Sequence, residues 1–287
     1  MEKIAERVAA CRKCDGLGYF YDGKVKAGQF GETKICICVE AFCRCGGRTP
    51  YQYFDAQMEA HWCPCRPYRQ KLRQVQRLFA HSDVPKRYQW KFLDDFKEAD
   101  PKGVKIRGAM DLKSVVRRRV ETCQLGKAPR GVLLWGSPGN GKTMLSCILL
   151  NELMFQFTMP GKFLDLSLQY FEKLRNTYNE GSDRYGQSWN ILETLSTIPC
   201  LVIDDFGVQR NTEWEQEMLY NLVDARYEHE RLTMVTTNKP FEEIRELHGG
   251  RIYSRLLEMC EIIQVEASDY REHSNHQAGR SRNGVQG

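Results

Sequence analysis

From residue 67 to about 80, apolar side chains recur at spacings of three and four (Leu72, Val75, Leu78, Phe79), which predicts a helix with one buried face. Farther along, the pattern changes. Short apolar runs at residues 131–135, 162–166, 200–203, 232–237 and 261–265 predict five strands. Helical patterns fall between them at about 142–157, 168–178 and 212–230. Near-continuous apolar strands alternating with helices imply a parallel sheet covered on both faces, so the expected class is α/β. Residues 1–66 behave differently. They are rich in Cys and Gly and poor in aliphatic residues, so a conventional core is not expected there and a metal would have to supply stability. The expected organisation is a Cys-rich unit with a basic helix at 1–80, a linker at 81–110, an α/β domain at 111–272 and a disordered polar tail at 273–287. No internal repeat is found.

Composition sharpens this picture in two places. No stretch of the 287 residues approaches the roughly 20 apolar residues that span a bilayer, and Met1 to Ala10 has no apolar signal core. A cytoplasmic protein without a membrane partner is the expectation. Eight of the 12 cysteines (Cys11, Cys14, Cys36, Cys38, Cys43, Cys45, Cys63 and Cys65) fall in close pairs, whereas Cys123, Cys147, Cys200 and Cys260 are scattered singly as buried apolar residues would be. In a cytosolic chain, paired spacing points to metal rather than disulfides. Residues 1–90 hold 16 Lys and Arg against 9 Asp and Glu. The basic excess concentrates in Arg66, Arg69, Lys71, Arg73 and Arg77, a face suited to phosphates or to an acidic protein surface.

The chemistry sits at the strand ends. Gly136-Ser137-Pro138-Gly139-Asn140-Gly141-Lys142-Thr143 fits the phosphate-binding loop pattern, with an apolar strand before it and a helix after it. Glycines let backbone N–H groups turn inward around phosphates, Lys142 adds a positive charge, and Thr143 offers a hydroxyl to magnesium. Leu201-Val202-Ile203-Asp204-Asp205 is an apolar strand ending in two carboxylates. Asp204 is suited to hold magnesium through water, and Asp205 to orient the attacking water. ATP and magnesium are therefore the expected cofactors, and ATP hydrolysis the expected activity. Asn238, at the tip of Thr236-Thr237-Asn238, can position the γ-phosphate. Arg251 and Arg255 lie four apart on one helix face, where an arginine can reach a neighbouring subunit's nucleotide.

From about Val84 to Arg271 the sequence resembles the AAA+ ATPases of the bacterial helicase-loader family (DnaC and DnaI), with the transposition helper IstB as a close relative. GSPGNGKT, LVIDDFG, TTN and RIYSRL carry the resemblance, in that order, and VPKRYQWKFLDDF resembles the segment leading into the ATPase core. It implies an AAA+ domain without a full helical lid, with Asn238 as sensor I, Arg255 as arginine finger helped by Arg251, and Arg271 as sensor II. The implied partners are the replicative helicase, single-stranded DNA and further copies of this chain. An IstB-like transposition helper acting on double-stranded DNA with a transposase is the alternative. A zinc protein with an inactive ATPase is a third reading, disfavoured by the presence of Lys142, Thr143, Asp204 and Arg255.

In loader-like relatives a CxxC-G-x-G-Y turn is followed by CxC-R before a basic helix. That layout sets Cys11 and Cys14 with Cys63 and Cys65, leaving Cys36, Cys38, Cys43 and Cys45 as an inserted set. Cys11 and Cys14 with Cys36 and Cys38 is the other pairing. Either way two closed four-thiolate zinc sites are expected, with an iron–sulfur cluster as the alternative and His61 as a surface or packing residue. The helix at 168–178 resembles the family element that touches single strands, and Tyr170 and Lys173 on its outer side are the expected DNA contacts.

Overall fold

The computed structural model describes residues 2–23, 32–99, 108–166, 170–176, 188–207 and 212–265. The chain divides into two compact units, Met1–Ala80 and His81–Gly287.

In the first unit, α1 (Glu2–Ala9) precedes an antiparallel pair, β1 (Tyr19–Asp22) and β2 (Glu32–Ile35), with Tyr19 opposite Ile35. After α2 (Ile37–Glu40) comes a second antiparallel pair, β3 (Gln52–Phe54) and β4 (Ala60–Trp62), with Gln52 opposite Trp62. The long helix α3 (Arg66–His81) follows. It buries Leu72, Val75 and Phe79, three of the four apolar positions its period picks out. Ile4, Val8, Tyr19, Val39 and Tyr51 are also buried, so a small apolar core accompanies the cysteines.

The second unit opens with α4 (Ala109–Gln124), then β5 (Gly131–Trp135) and α5 (Lys142–Phe157). There follow β6 (Gly161–Asp165), α6 (Phe171–Asn176), α7 (Ser188–Thr197), β7 (Cys200–Asp204), α8 (Glu213–Glu228) and β8 (Leu232–Thr237). The last elements are α9 (Phe241–Glu246), α10 (Arg251–Met259) and β9 (Cys260–Gln264). The sheet order is β6-β7-β8-β5-β9, and every pairing is parallel. Its inner strands β7 and β8 are buried at every position, as two covered faces require. Helix α5 is apolar almost all round and buried from Leu145 to Phe155, which places it in the middle of the unit.

Residues 84–96 are fastened to α5. The buried Asn151 amide donates to the carbonyls of Tyr88 and Lys91, both at 2.8 Å, and Glu152 accepts from the N–H of Leu93 at 3.0 Å. Burial raises the pKa of Glu152, against the lowering effect of the Leu93 N–H and the Gln156 amide that donate to it.

Arg226, in the last turn of α8, is fully buried. It donates to Thr233 Oγ1 at 2.9 Å and to the carbonyls of Leu195, Ile198 and Leu232 at 2.6, 3.0 and 2.7 Å. These bonds tie the end of α7 and the start of β8 to α8, and burial brings the guanidinium down to about 10. Arg226→Met would strand the carbonyls of Leu195 and Leu232, both buried, and the half-buried Ile198 carbonyl, and we expect a loss of more than about 3 kcal/mol in chemical denaturation. Lys should not rescue it, because one ammonium cannot match a planar fork. A melting curve unchanged by Arg226→Met would remove this role.

Candidate nucleotide site and cysteine clusters

The loop at residues 136–141 joins the C-terminal end of β5 to the first turn of α5, at the edge where ligands meet parallel sheets. Gly136 has φ 141°, and a Cβ there would lie 2.6 Å from the Val265 carbonyl oxygen, so only glycine fits. Gly139 and Gly141 also have positive φ, at 87° and 82°. Pro138 is exposed on the loop. Asn140 donates to the Val265 carbonyl at 2.8 Å and so fastens the loop to the end of β9. Lys142 is folded onto its own loop and donates to the carbonyls of Gly136 and Ser137 at 2.8 and 2.7 Å.

Asp204 ends β7, two strands away from β5, and the intervening strand β8 supplies the link. Thr143 Oγ1 donates to Asp204 Oδ1 at 2.9 Å, and Thr236 Oγ1 donates to the same oxygen. Burial raises Asp204 to about 6, against the lowering effect of the two hydroxyls, and the neighbouring charges of Asp205 and Asp165 add to the rise. A buried carboxylate beside a threonine hydroxyl, with a positively charged side chain at the loop, suits a divalent cation and polyphosphate. Asp205 has φ 55°, a left-handed conformation that Asp tolerates better than most residues. Its N–H donates to Thr236 Oγ1 at 3.3 Å, and its carboxylate accepts from Asn238 Nδ2 at 3.1 Å. Loop lysine, threonine, both carboxylates and Asn238 thus converge at one edge of the sheet. Thr236 was not singled out by sequence reasoning, although it precedes Asn238 by only two residues. Its hydroxyl links Asp204 to the backbone of Asp205.

On α10, Ile252 and Leu256 are buried, leaving Arg251 exposed and Arg255 half-buried. Arg255 Nε donates to Asp224 Oδ1 of α8, and its guanidinium lies 5.4 and 5.6 Å from the ring centres of Tyr220 and Tyr227. The Asp224 carboxylate raises the pKa of Arg255 and keeps it charged. Arg271, Lys173's side chain and residues 177–178 lie outside what the structure describes. Tyr170 does not face outward. It is only 1% exposed and packs edge-on against Phe171 at 5.1 Å between ring centres. The expectation that it stacks on DNA is therefore corrected: the helical period placed it outside, but it joins the apolar core beside Leu166 and Leu174.

Residues 73–278, well over half the chain, match the family described as IstB-like ATP binding protein. The chain belongs to this family. Its fold is that of an AAA+ P-loop protein, and the ATPase assignment follows from the family together with the residues gathered at the loop. The replicative helicase loader DnaC of Escherichia coli K12 is 27% identical over 188 residues, 65% of this chain and 71% of that protein. A crystal structure of the DnaC helicase loader superposes with a TM-score of 0.51 at 24% identity, covering 63% of this chain and 100% of that one. AMPPCP-bound DnaA from Aquifex aeolicus gives 0.51 at 16% identity, covering 71% and 58%. These structural likenesses show the fold.

The family match begins at residue 73, so the paired cysteines lie outside it. They gather as two groups, Cys11, Cys14, Cys36 and Cys38, and Cys43, Cys45, Cys63 and Cys65, with the sulfurs of each group all within 4.8 Å of one another. Sulfur–sulfur separations are 3.7 Å for Cys11–Cys36, 3.6 Å for Cys14–Cys38 and 3.6 Å for Cys45–Cys65. A tetrahedron with metal–sulfur bonds of about 2.3 Å has edges of about 3.8 Å, so the spacing fits one metal ion per group. The set that places Cys11 and Cys14 with Cys63 and Cys65 is corrected. The β1–β2 hairpin returns the chain from Cys14 to Cys36, and the β3–β4 hairpin returns it from Cys45 to Cys63.

Backbone donors face the sulfurs: Gly18 N–H to Cys14 and Arg44 N–H to Cys63, both at 3.3 Å. At Cys63 burial opposes ionisation, but the N–H groups of Cys65 and Arg44 outweigh it and bring the thiol to about 6. His61 belongs to neither group. Its Nε2 is 2.6 Å from Asp55 Oδ2. The first turn of α3 lies against Gly18, the neighbour of one group, and against Cys43 of the other. Gly18, at φ 79°, leaves room for the Tyr68 ring, which a Cβ would approach to 2.4 Å, and Arg69 Nη2 lies 4.0 Å from Cys43 Sγ.

Proposed function

We propose that this chain is an ATP-driven loader that brings a replicative helicase onto single-stranded DNA. The observation that carries the reading is the likeness to a protein named as a replicative helicase loader across 188 residues, combined with an intact nucleotide site. Bound ATP with magnesium would supply a phosphoryl group and a cation that offsets its charge. Lys142 would leave the carbonyls of Gly136 and Ser137 and turn to the outer phosphates. Thr143 and Asp204 would hold the magnesium, Asp205 would orient the attacking water, and Asn238 would fix Asp205 and sense the γ-phosphate. Arg255, assisted by Arg251, would reach into the pocket of an adjacent copy, making turnover depend on assembly. Two zinc ions on the cysteine groups would hold the first unit and α3 as the grip on the helicase. Arg271 remains our candidate for a second sensor.

Membership in the IstB-like family favours a second reading, a transposition helper that binds double-stranded DNA and a transposase. Affinity capture of the tagged full chain from its native host, with ATP and magnesium, separates the two. Recovery of a hexameric replicative helicase supports loading. Recovery of a transposase with no helicase would reject it.

A further inference from the structure

With Tyr170 in the core, another surface carries the features of a single-strand site. On the β3–β4 hairpin, Phe54 and Trp62 stand on one face, since Phe54 pairs with Ala60 and Gln52 with Trp62. They are large rings left 64% and 53% exposed. Tyr53 occupies the other face. Arginines accompany these rings: the Arg66 guanidinium lies 3.6 Å from the centre of the Trp62 ring, and that of Arg44 lies 5.1 Å from the centre of Tyr53.

The charge around the hairpin is one-sided. From Cys43 to Ala80 there are seven Lys and Arg against two acids, Asp55 and Glu59. Both acids lie at the hairpin tip, where Asp55 Oδ1 accepts the N–H groups of Gln57 and Glu59 at 3.0 and 2.9 Å, and its other oxygen faces His61. Four thiolates on a divalent ion would subtract about two charges and leave the segment cationic. An acid-rimmed protein groove could meet the arginines, but it would not call for flat rings with arginines at their faces. Rings of this kind, within a surplus of positive charge, match what successive unpaired bases and their phosphates offer.

We propose that the β3–β4 hairpin of the first unit binds single-stranded nucleic acid, with Phe54 and Trp62 stacking on bases and the surrounding cations, Arg66 among them, meeting the phosphates. The inference supplies a location for the strand in the loader reading, but the binding itself does not depend on a helicase partner.

The test uses the full-length protein and a fluorescent oligo(dT), with anisotropy measured at several salt concentrations and a duplex of equal length as control. Phe54→Ala/Trp62→Ala should weaken oligo(dT) binding at least about tenfold. Phe54→Tyr/Trp62→Phe, which keeps the rings, should bind nearly as the parent does. Bound-metal content and ATP turnover should match the parent in both variants, which shows that the cysteine site is intact. Oligo(dT) affinity that survives the alanine pair would overturn the proposal. An equal loss for duplex and single strand would also overturn it, because stacking on bases would then not be the interaction. If the alanine pair spares oligo(dT) but abolishes capture of a protein partner, the face is a protein dock and the proposal falls. The helicase capture described above can fail while this assay succeeds, and the reverse holds too.

Discussion

Mixing the Arg255→Ala protein with the Lys142→Ala protein should restore ATP turnover that neither shows alone. The expectation follows from where the two cations stand. Lys142 belongs to its own loop, two bonds of which it already makes to the carbonyls of Gly136 and Ser137. Arg255 lies on α10, where Asp224 holds it through Nε and two tyrosine rings flank it. Its Nη2 also donates to the Tyr220 hydroxyl at 3.4 Å, a weak bond that the planar fork would exchange for the phosphate oxygens of another copy. Lys142→Ala therefore spoils a pocket but spares the arginine offered to a neighbour. Arg255→Ala does the opposite. Each alone should lower turnover by about a thousandfold or more, while Arg255→Ala keeps nearly normal ATP-analogue binding. In a head-to-tail assembly of equal amounts, about a quarter of the junctions unite a sound pocket with a sound arginine. Phosphate release from the mixture should recover in that proportion. A mixed assembly as inactive as its components would mean that Arg255 does not act across a junction. Full turnover of Arg255→Ala alone would remove it from the reaction.

The sequence is explicit about this site where local chemistry decides the structure. The P-loop demands glycines at fixed places, and apolar strands buried on both faces leave unbroken runs, so β5, β7 and β8 and the residues at their ends are found within a position or two. Where a side chain's surroundings come from elsewhere in the chain, the sequence says less. Tyr170 lies on the polar side of a local helical period, yet the segment approaches the core closely enough to bury it. Helix α4 buries Leu112, Val115, Val116 and Arg119 at helical spacing, but the run Arg117-Arg118-Arg119 hides the stripe. Arg119 can be buried because the Gly131 carbonyl and Glu261 accept from it at 3.3 and 2.8 Å, and neither is near it in sequence. Arg226 is concealed for the same reason: three of its four acceptors are carbonyls, which no residue type announces. The cysteines are intermediate. Paired spacing marks them as candidate metal ligands, but it does not give their partition. Closing a loop of about half the length stabilises by only about 0.6 kcal/mol, too little to choose between the two partitions. The two hairpins decide it, and short strands such as β3 and β4 carry little sequence signal of their own.

That partition has a measurable consequence, and metal removal should give the largest structural change in this protein. Structural four-thiolate sites contribute on the order of 10–16 kcal/mol of apparent binding energy per zinc, far more than the few buried apolar side chains of the first unit can replace. Stripping both ions with a chelator should therefore unfold residues 1–80 and expose α3 to protease, because in its first turn Tyr68 packs on Gly18, whose N–H faces Cys14, and Arg69 lies beside Cys43. ATP-analogue binding should persist, since its residues lie in the other unit. Loss of ATP binding together with the metal would refute that separation. Paired substitutions then test which cysteines share an ion. Cys14→Ser/Cys38→Ser damages one group as the structure partitions them, and one zinc per chain should remain by elemental analysis. Cys14→Ser/Cys65→Ser damages both, and none should remain tightly bound. If Cys11 and Cys14 shared an ion with Cys63 and Cys65, the two results would exchange places.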